Sequence, residues 1–160
     1  PKGFHRLTIG AEVRLRGAYL VTCTGVEQDA NGTVTTIFCT HDPESRGGNA
    51  PDGRKVQGTI HWVSARHAVP LTARIYDRLF TAEHPGAEGD FLAHVNPESL
   101  TVCHGWGEPV LGSCVAETKF QWERLGYFCA DRVLHGPHNA VFNRVVGLRD
   151  SWGKEASRRP

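Results

Sequence analysis

The stretch HRLTIGAEVRLRGAY, residues 5–19, alternates apolar and cationic side chains at Val13-Arg14-Leu15-Arg16. A period of two marks a half-buried strand, because successive side chains point to opposite faces. Val13 and Leu15 then face a core, and Arg14 and Arg16 face outward together, with a third cation nearby at Arg6. A strand over 12–23, broken at Gly17, follows from this reading. Downstream, GVEQDANGTVTTIFCT, residues 25–40, reads as strand, turn, strand. Asn31-Gly32 tolerates the positive φ of a tight hairpin, and the run from Val34 to Thr40 is β-branched and aromatic.

The rest of the chain has the same character. Residues 41–54, HDPESRGGNAPDGR, form a loop with two prolines and three glycines, long enough to be either mobile or functional. Strands are predicted at Val56–Val63, Leu71–Tyr76 and Arg78–Phe80, then at Ser99–His104, Thr118–Arg124, Tyr127–Arg132 and Val141–Leu148. Leu125-Gly126 marks a hairpin turn. Pro and Gly punctuate residues 83–99, where Asp90–Val95 has room for about one and a half helical turns. No repeat or heptad is present. About nine short strands with turn signals predict an all-β fold. The break near 81–98 favours two small β-barrels in tandem: residues 1–82, then 83–151, then a basic disordered tail at 152–160.

Composition narrows the function classes. At 160 residues, 39% hydrophobic and 22% charged, the chain has ordinary globular composition. No window nears the ~18 apolar residues of a membrane helix, and no signal-peptide pattern opens the chain. It begins with Pro1 and contains no methionine, and so reads as a piece of a longer protein. The net charge of +1 conceals an uneven distribution: residues 1–20 and 143–160 each carry +3, and the middle carries −5. Two basic ends suggest a local polyanion contact, with ordinary surface charge as the plain alternative. Five scattered cysteines without a CxxC fit reduced thiols in a cytoplasmic protein.

Several groups are candidates for chemistry. On a strand, Arg14 and Arg16 stand roughly 6.5–7 Å apart, near the spacing of phosphates or splayed bases. Guanidinium binds phosphate as a fork and stacks on bases; the plain alternative is a charged, aggregation-resistant edge. In TKFQWER, Phe120 and Trp122 share a core face, leaving Lys119, Gln121 and Glu123 on the other. A glutamine amide both donates and accepts, so Gln121 can read a base edge, although an exposed polar strand residue is the commoner case. Trp62 and Phe128 are expected in the core, and Trp106, between glycines, is left open. Cys103, His104, Cys114, Cys129, His135 and His138 match no structural-zinc spacing, so no metal is assigned to them. There is no phosphate-binding glycine loop, nucleophile elbow or HExxH, and Asp77, Asp131 and Asp150 read as surface ion pairs with nearby arginines.

Taken together, GAEVRLRGAY, TTIFCTHD, DGRKVQGTIHWVSARHAVP, RIYDRLF, NPESL, FQWERLGYFC and VFNRVVGLRDSW resemble one family, in its order, from about residue 6 to residue 152. It is the C-terminal anticodon-binding region of the glutaminyl-tRNA synthetases. The resemblance implies two barrels of the ribosomal L25-like kind, the second incomplete here, the distal one gripping the anticodon loop. It implies that Arg6 meets the third anticodon base, Arg14 the first and Gln121 the middle uridine. Arg16 would contact the RNA backbone, and Arg124 lie near the loop. His5 stands where relatives often carry lysine, so its phosphate contact would be weaker or pH-dependent. Loops 41–54 and 133–140 match loosely and take no role. No HIGH-like motif is present, and KMSKS requires a methionine. The implied module therefore carries no catalytic residues and no cofactor; ATP and Mg belong to the catalytic domain of the parent. The implied partners are the anticodon loop of a glutamine tRNA and that catalytic domain, in a cytoplasmic monomer with no membrane contact. Three alternatives stand beside it: an L25-like ribosomal RNA-binding protein, a glutamyl-type or non-discriminating synthetase relative, and a metal-dependent enzyme using the Cys/His set.

Overall fold

The computed structural model describes residues 6–56, 58–87 and 89–148. These are nearly all strand and turn, so the fold is all-β. The chain divides into two compact units, one through Trp62 and one from Val63.

In the first unit four strands form one sheet, in the order β3-β2-β1-β4. They are β1 (Glu12–Leu15), β2 (Leu20–Gln28), β3 (Val34–His41) and β4 (Thr59–Ile60). β1 runs antiparallel to β2, with Val13 opposite Val21, and parallel to β4, with Arg14 opposite Thr59. The alternation read at 13–16 holds in β1: Val13 is buried and Arg14 is on the other face. The β2–β3 turn forms where Asn31-Gly32 predicts it. Gly32 takes φ +79°, and Asp29 Oδ1 accepts from the amides of Asn31 and Thr33 at 2.9 Å each. The core is small: Val13, Leu20, Val21 and Cys23, closed by Ser45. Ser45 Oγ accepts from the Leu20 amide at 2.9 Å and donates to the Asp42 carbonyl at 2.6 Å, so its buried hydroxyl is satisfied on both sides.

In the second unit five strands form a sheet in the order β6-β5-β9-β8-β7. They are β5 (Val69–Tyr76), β6 (Leu100–Gly107), β7 (Lys119–Trp122), β8 (Gly126–Ala130) and β9 (Ala140–Val146). Only the β5–β9 pair is parallel. A short helix, α1 (Pro109–Ser113), starts on a proline suited to a first helical turn. Its Leu111 joins Ala73, Phe128, Ala130, Ala140 and Phe142 in the core. Trp122 stacks on Phe128 with centroids 4.0 Å apart, as the core-face reading of TKFQWER and GYFC requires. Asp131 follows β8 and accepts from the amides of Val133 and Leu134, from Asn143 Nδ2 at 2.7 Å and from Arg74 Nη1 at 3.5 Å.

Five expectations change. Among the described residues neither sheet closes into a barrel: β3 and β4 stay edges in one, β6 and β7 in the other. The division falls at 62/63 and not at 82/83, because β5 is hydrogen-bonded between β6 and β9. Arg78–Phe80 is not a strand; Phe80 makes one bridge to Val95, beside a 3-10 turn at Phe91–His94 capped by Asp90. Trp62 is not core but 43% exposed, because its indole N–H donates to the Arg16 carbonyl at 3.1 Å and holds the ring near the surface. Asp131, only 9% exposed, is a buried junction and not a surface ion pair. His5 and the tail from 149 onward lie outside the described residues.

Candidate nucleic-acid interface

β1 presents Glu12 and Arg14 on one face, two residues apart. Arg14 is half-buried. Its Nε donates to the Gly48 carbonyl, and its Nη2 to Asn49 Oδ1 at 3.3 Å. Gly48 has φ +94°, and a Cβ there would sit 2.8 Å from Arg14 Cδ and 3.0 Å from Cγ. Only glycine fits both the left-handed backbone and the close approach.

The 41–54 loop that carries Gly48 is fastened to the sheet at two places. At its start, Ser45 and the Asp42 amide bond to Leu20. At its end, Arg54 forks onto both oxygens of Glu12 at 3.0 Å each, and also meets Asp52 at 2.7 Å and Asp42. Hydrogen bonding from Arg54, then from the Glu44 amide, holds the Asp42 carboxyl below its usual range. Asp52 is lowered first by the Arg54 amide and then by its guanidinium. The three carboxylates in turn strengthen the protonated form of Arg54, Glu12 most of all. The cluster is solvent-exposed, so its worth lies in fixing the loop more than in raw stability.

Arg16 follows β1 directly and is exposed. Its amide donates to Ile60 at 3.0 Å and its carbonyl accepts from Trp62, so its backbone is fixed on both sides. Arg6 is also exposed, in the irregular segment before β1. In the second unit, Gln121 lies on the exposed face of β7, opposite the exposed Tyr127 of β8. Arg124 is exposed in the β7–β8 turn at φ +64°. The structure therefore puts Arg14 on β1 with Arg16 directly after it, and Gln121 with Arg124 on one hairpin. The 41–54 loop is the part that residue-level reading missed. Its Gly47-Gly48 pair, and acids at 42 and 52 ahead of Arg54, were the only signals of it.

Within the Cys/His set, Cys114 and His135 lie together. Cys114 Sγ and His135 Nε2 are 3.4 Å apart, but Nε2 also lies 3.0 Å from the Cys114 carbonyl and Nδ1 accepts from the Val141 amide. Burial pushes the Cys114 thiol up, away from thiolate. Among the described residues no three His, Cys, Asp or Glu side chains converge.

Two family models match, over residues 2–42 and 59–131, and both describe the anticodon-binding domain of class I tRNA synthetases of the E and Q type. Curated relatives include the glutamine–tRNA ligases of Vibrio campbellii and Vibrio parahaemolyticus, each 55% identical over 153 residues. That of Salmonella paratyphi B is 54% identical over the same length. Each alignment covers 96% of this chain and 28% of the relative, so the chain spans little more than a quarter of their length. With a match in each unit and this identity along almost its whole length, the chain belongs to the anticodon-binding domains of the class I glutamate and glutamine tRNA synthetases.

Proposed function

We propose that this chain recognises the anticodon loop of a glutamine tRNA for a parent ligase that joins glutamine to that tRNA using ATP. ATP and magnesium would be held by the catalytic domain of the parent. No helix among the described residues is long and apolar enough to cross a membrane. The proposed parent would act in the cytoplasm, as a monomer.

The observation that carries the reading is the pre-set Arg14 guanidinium on the outer face of β1. Single-stranded loops are where proteins read RNA sequence, because unstacked bases lie open to arginine planes and amides. In this reading Arg14 meets the first anticodon base, Gln121 the middle uridine and Arg6 the third. Arg16, Arg124 and His5 hold phosphates or the loop beside them. Phosphate contacts set the register and base-edge contacts specify.

The test is binding of the 160-residue chain to anticodon stem-loops that differ at one base. The glutamine anticodon should bind about tenfold more tightly than a loop with a changed first base, and Arg14→Ala should erase most of that difference. Equal affinity for every loop overturns the reading. The family description covers glutamate as well as glutamine enzymes, which keeps a glutamyl-type or non-discriminating parent as the second reading. Aminoacylation by the parent with each amino acid separates the two.

A further inference from the structure

An unsupported surface arginine samples many rotamers and loses that freedom when it grips a ligand. Arg14 is supported from outside its own strand. A guanidinium has five N–H donors. The bonds to Gly48 and Asn49 engage two of them and leave three for a ligand. The backbone of Gly48 lies against the arginine stem so closely that a single added methyl would displace it. The loop is tied at both ends, at Leu20 through Asp42 and Ser45 and at Glu12 through Arg54. Glu12 is on the same strand face as Arg14, two residues earlier. The tie and the arginine therefore share one rigid base.

We propose that the 42–54 segment is a strap whose Gly48 and Asn49 position the Arg14 guanidinium for RNA, which makes them specificity-positioning residues of the anticodon site. The proposal rests on the reading of Arg14 as an anticodon contact. A pre-set fork discriminates between bases because a wrong base meets donors that do not move to suit it. A loose arginine adapts to any acceptor and discriminates poorly.

The experiment is a double-mutant cycle on the 160-residue chain. Its probes are the glutamine anticodon stem-loop and the same RNA with its first anticodon base changed. Gly48→Ala should weaken the glutamine loop about tenfold and the altered loop less than about twofold; Asn49→Ala should act the same way at about threefold. In an Arg14→Ala background both effects should vanish, which a merely structural role would not produce. Asn49→Ala removes only an exposed acceptor, so it carries the test if Gly48→Ala fails to fold. Equal weakening of both RNAs by the loop variants, or effects that persist without Arg14, overturn the strap. If Arg14→Ala alone leaves the preference between the two RNAs intact, it is the anticodon reading of Arg14 that fails, and the strap fails with it.

Discussion

At the scale of single residues, Asp131 shows how far a side chain's role depends on distant partners. Hydrogen bonds from Leu134, Asn143 and Val133 hold its carboxyl down at about 2. An unfolded aspartate titrates near 3.9. A depressed folded pKa contributes stability that is fully present above the unfolded value and is lost as pH falls through it toward about 2. The stake is on the order of 2 kcal/mol. Asp131→Asn should therefore destabilise the chain by about 1–3 kcal/mol at neutral pH, because an amide N–H₂ would face the donors of Asn143 and Arg74. Urea midpoints measured from pH 7 to pH 2 should converge for the two proteins in acid; a constant gap across that range would exclude the linkage. The sequence paired Asp131 with the arginine beside it. Its partners Arg74 and Asn143 lie 57 and 12 positions away and leave no local trace. Trp62 misled for a related reason. An indole carries both an apolar body and an N–H, and here the Arg16 carbonyl claims the N–H.

The elements were legible where the signal is local. Val13-Arg14-Leu15, the Asn31-Gly32 turn and the Phe120/Trp122 face each declare themselves within a few residues. The β7–β8 hairpin was legible too, but its constraint was not. Gly126 takes φ +145°, and a Cβ there would lie 2.5 Å from the Val146 carbonyl oxygen on β9. Gly126→Ala should thus prise β8 off β9 and cost more than about 2 kcal/mol. Gly86, with open space around it and no positive φ, should accept alanine within about 0.5 kcal/mol. Urea unfolding of both variants is the check, and similar costs at the two sites would refute the constraint. The 41–54 loop sits at the other extreme. Its length singled it out, but the fork of Arg54 onto Glu12 spans 42 residues and no pattern announces it.

At the scale of the whole molecule, all-β was legible because short period-two runs and turn residues recur throughout. The division between units was not. Pro and Gly at 83–99 look like a linker, yet they belong to the connection between β5 and β6, neighbours in one sheet. The same residues punctuate linkers and long hairpin connections alike. A chain cut at 62/63 should yield a second piece that keeps its β-sheet circular dichroism and dispersed amide spectrum. One cut at 82/83, which removes β5 from between β6 and β9, should not; retention of structure after both cuts would contradict the assignment of β5. The parallel pairing of β5 with β9 also bears on biosynthesis. About 60 residues must leave the ribosome between those strands, roughly 3–12 s at ordinary elongation rates, so the middle of that sheet waits, half-built, for its last neighbour.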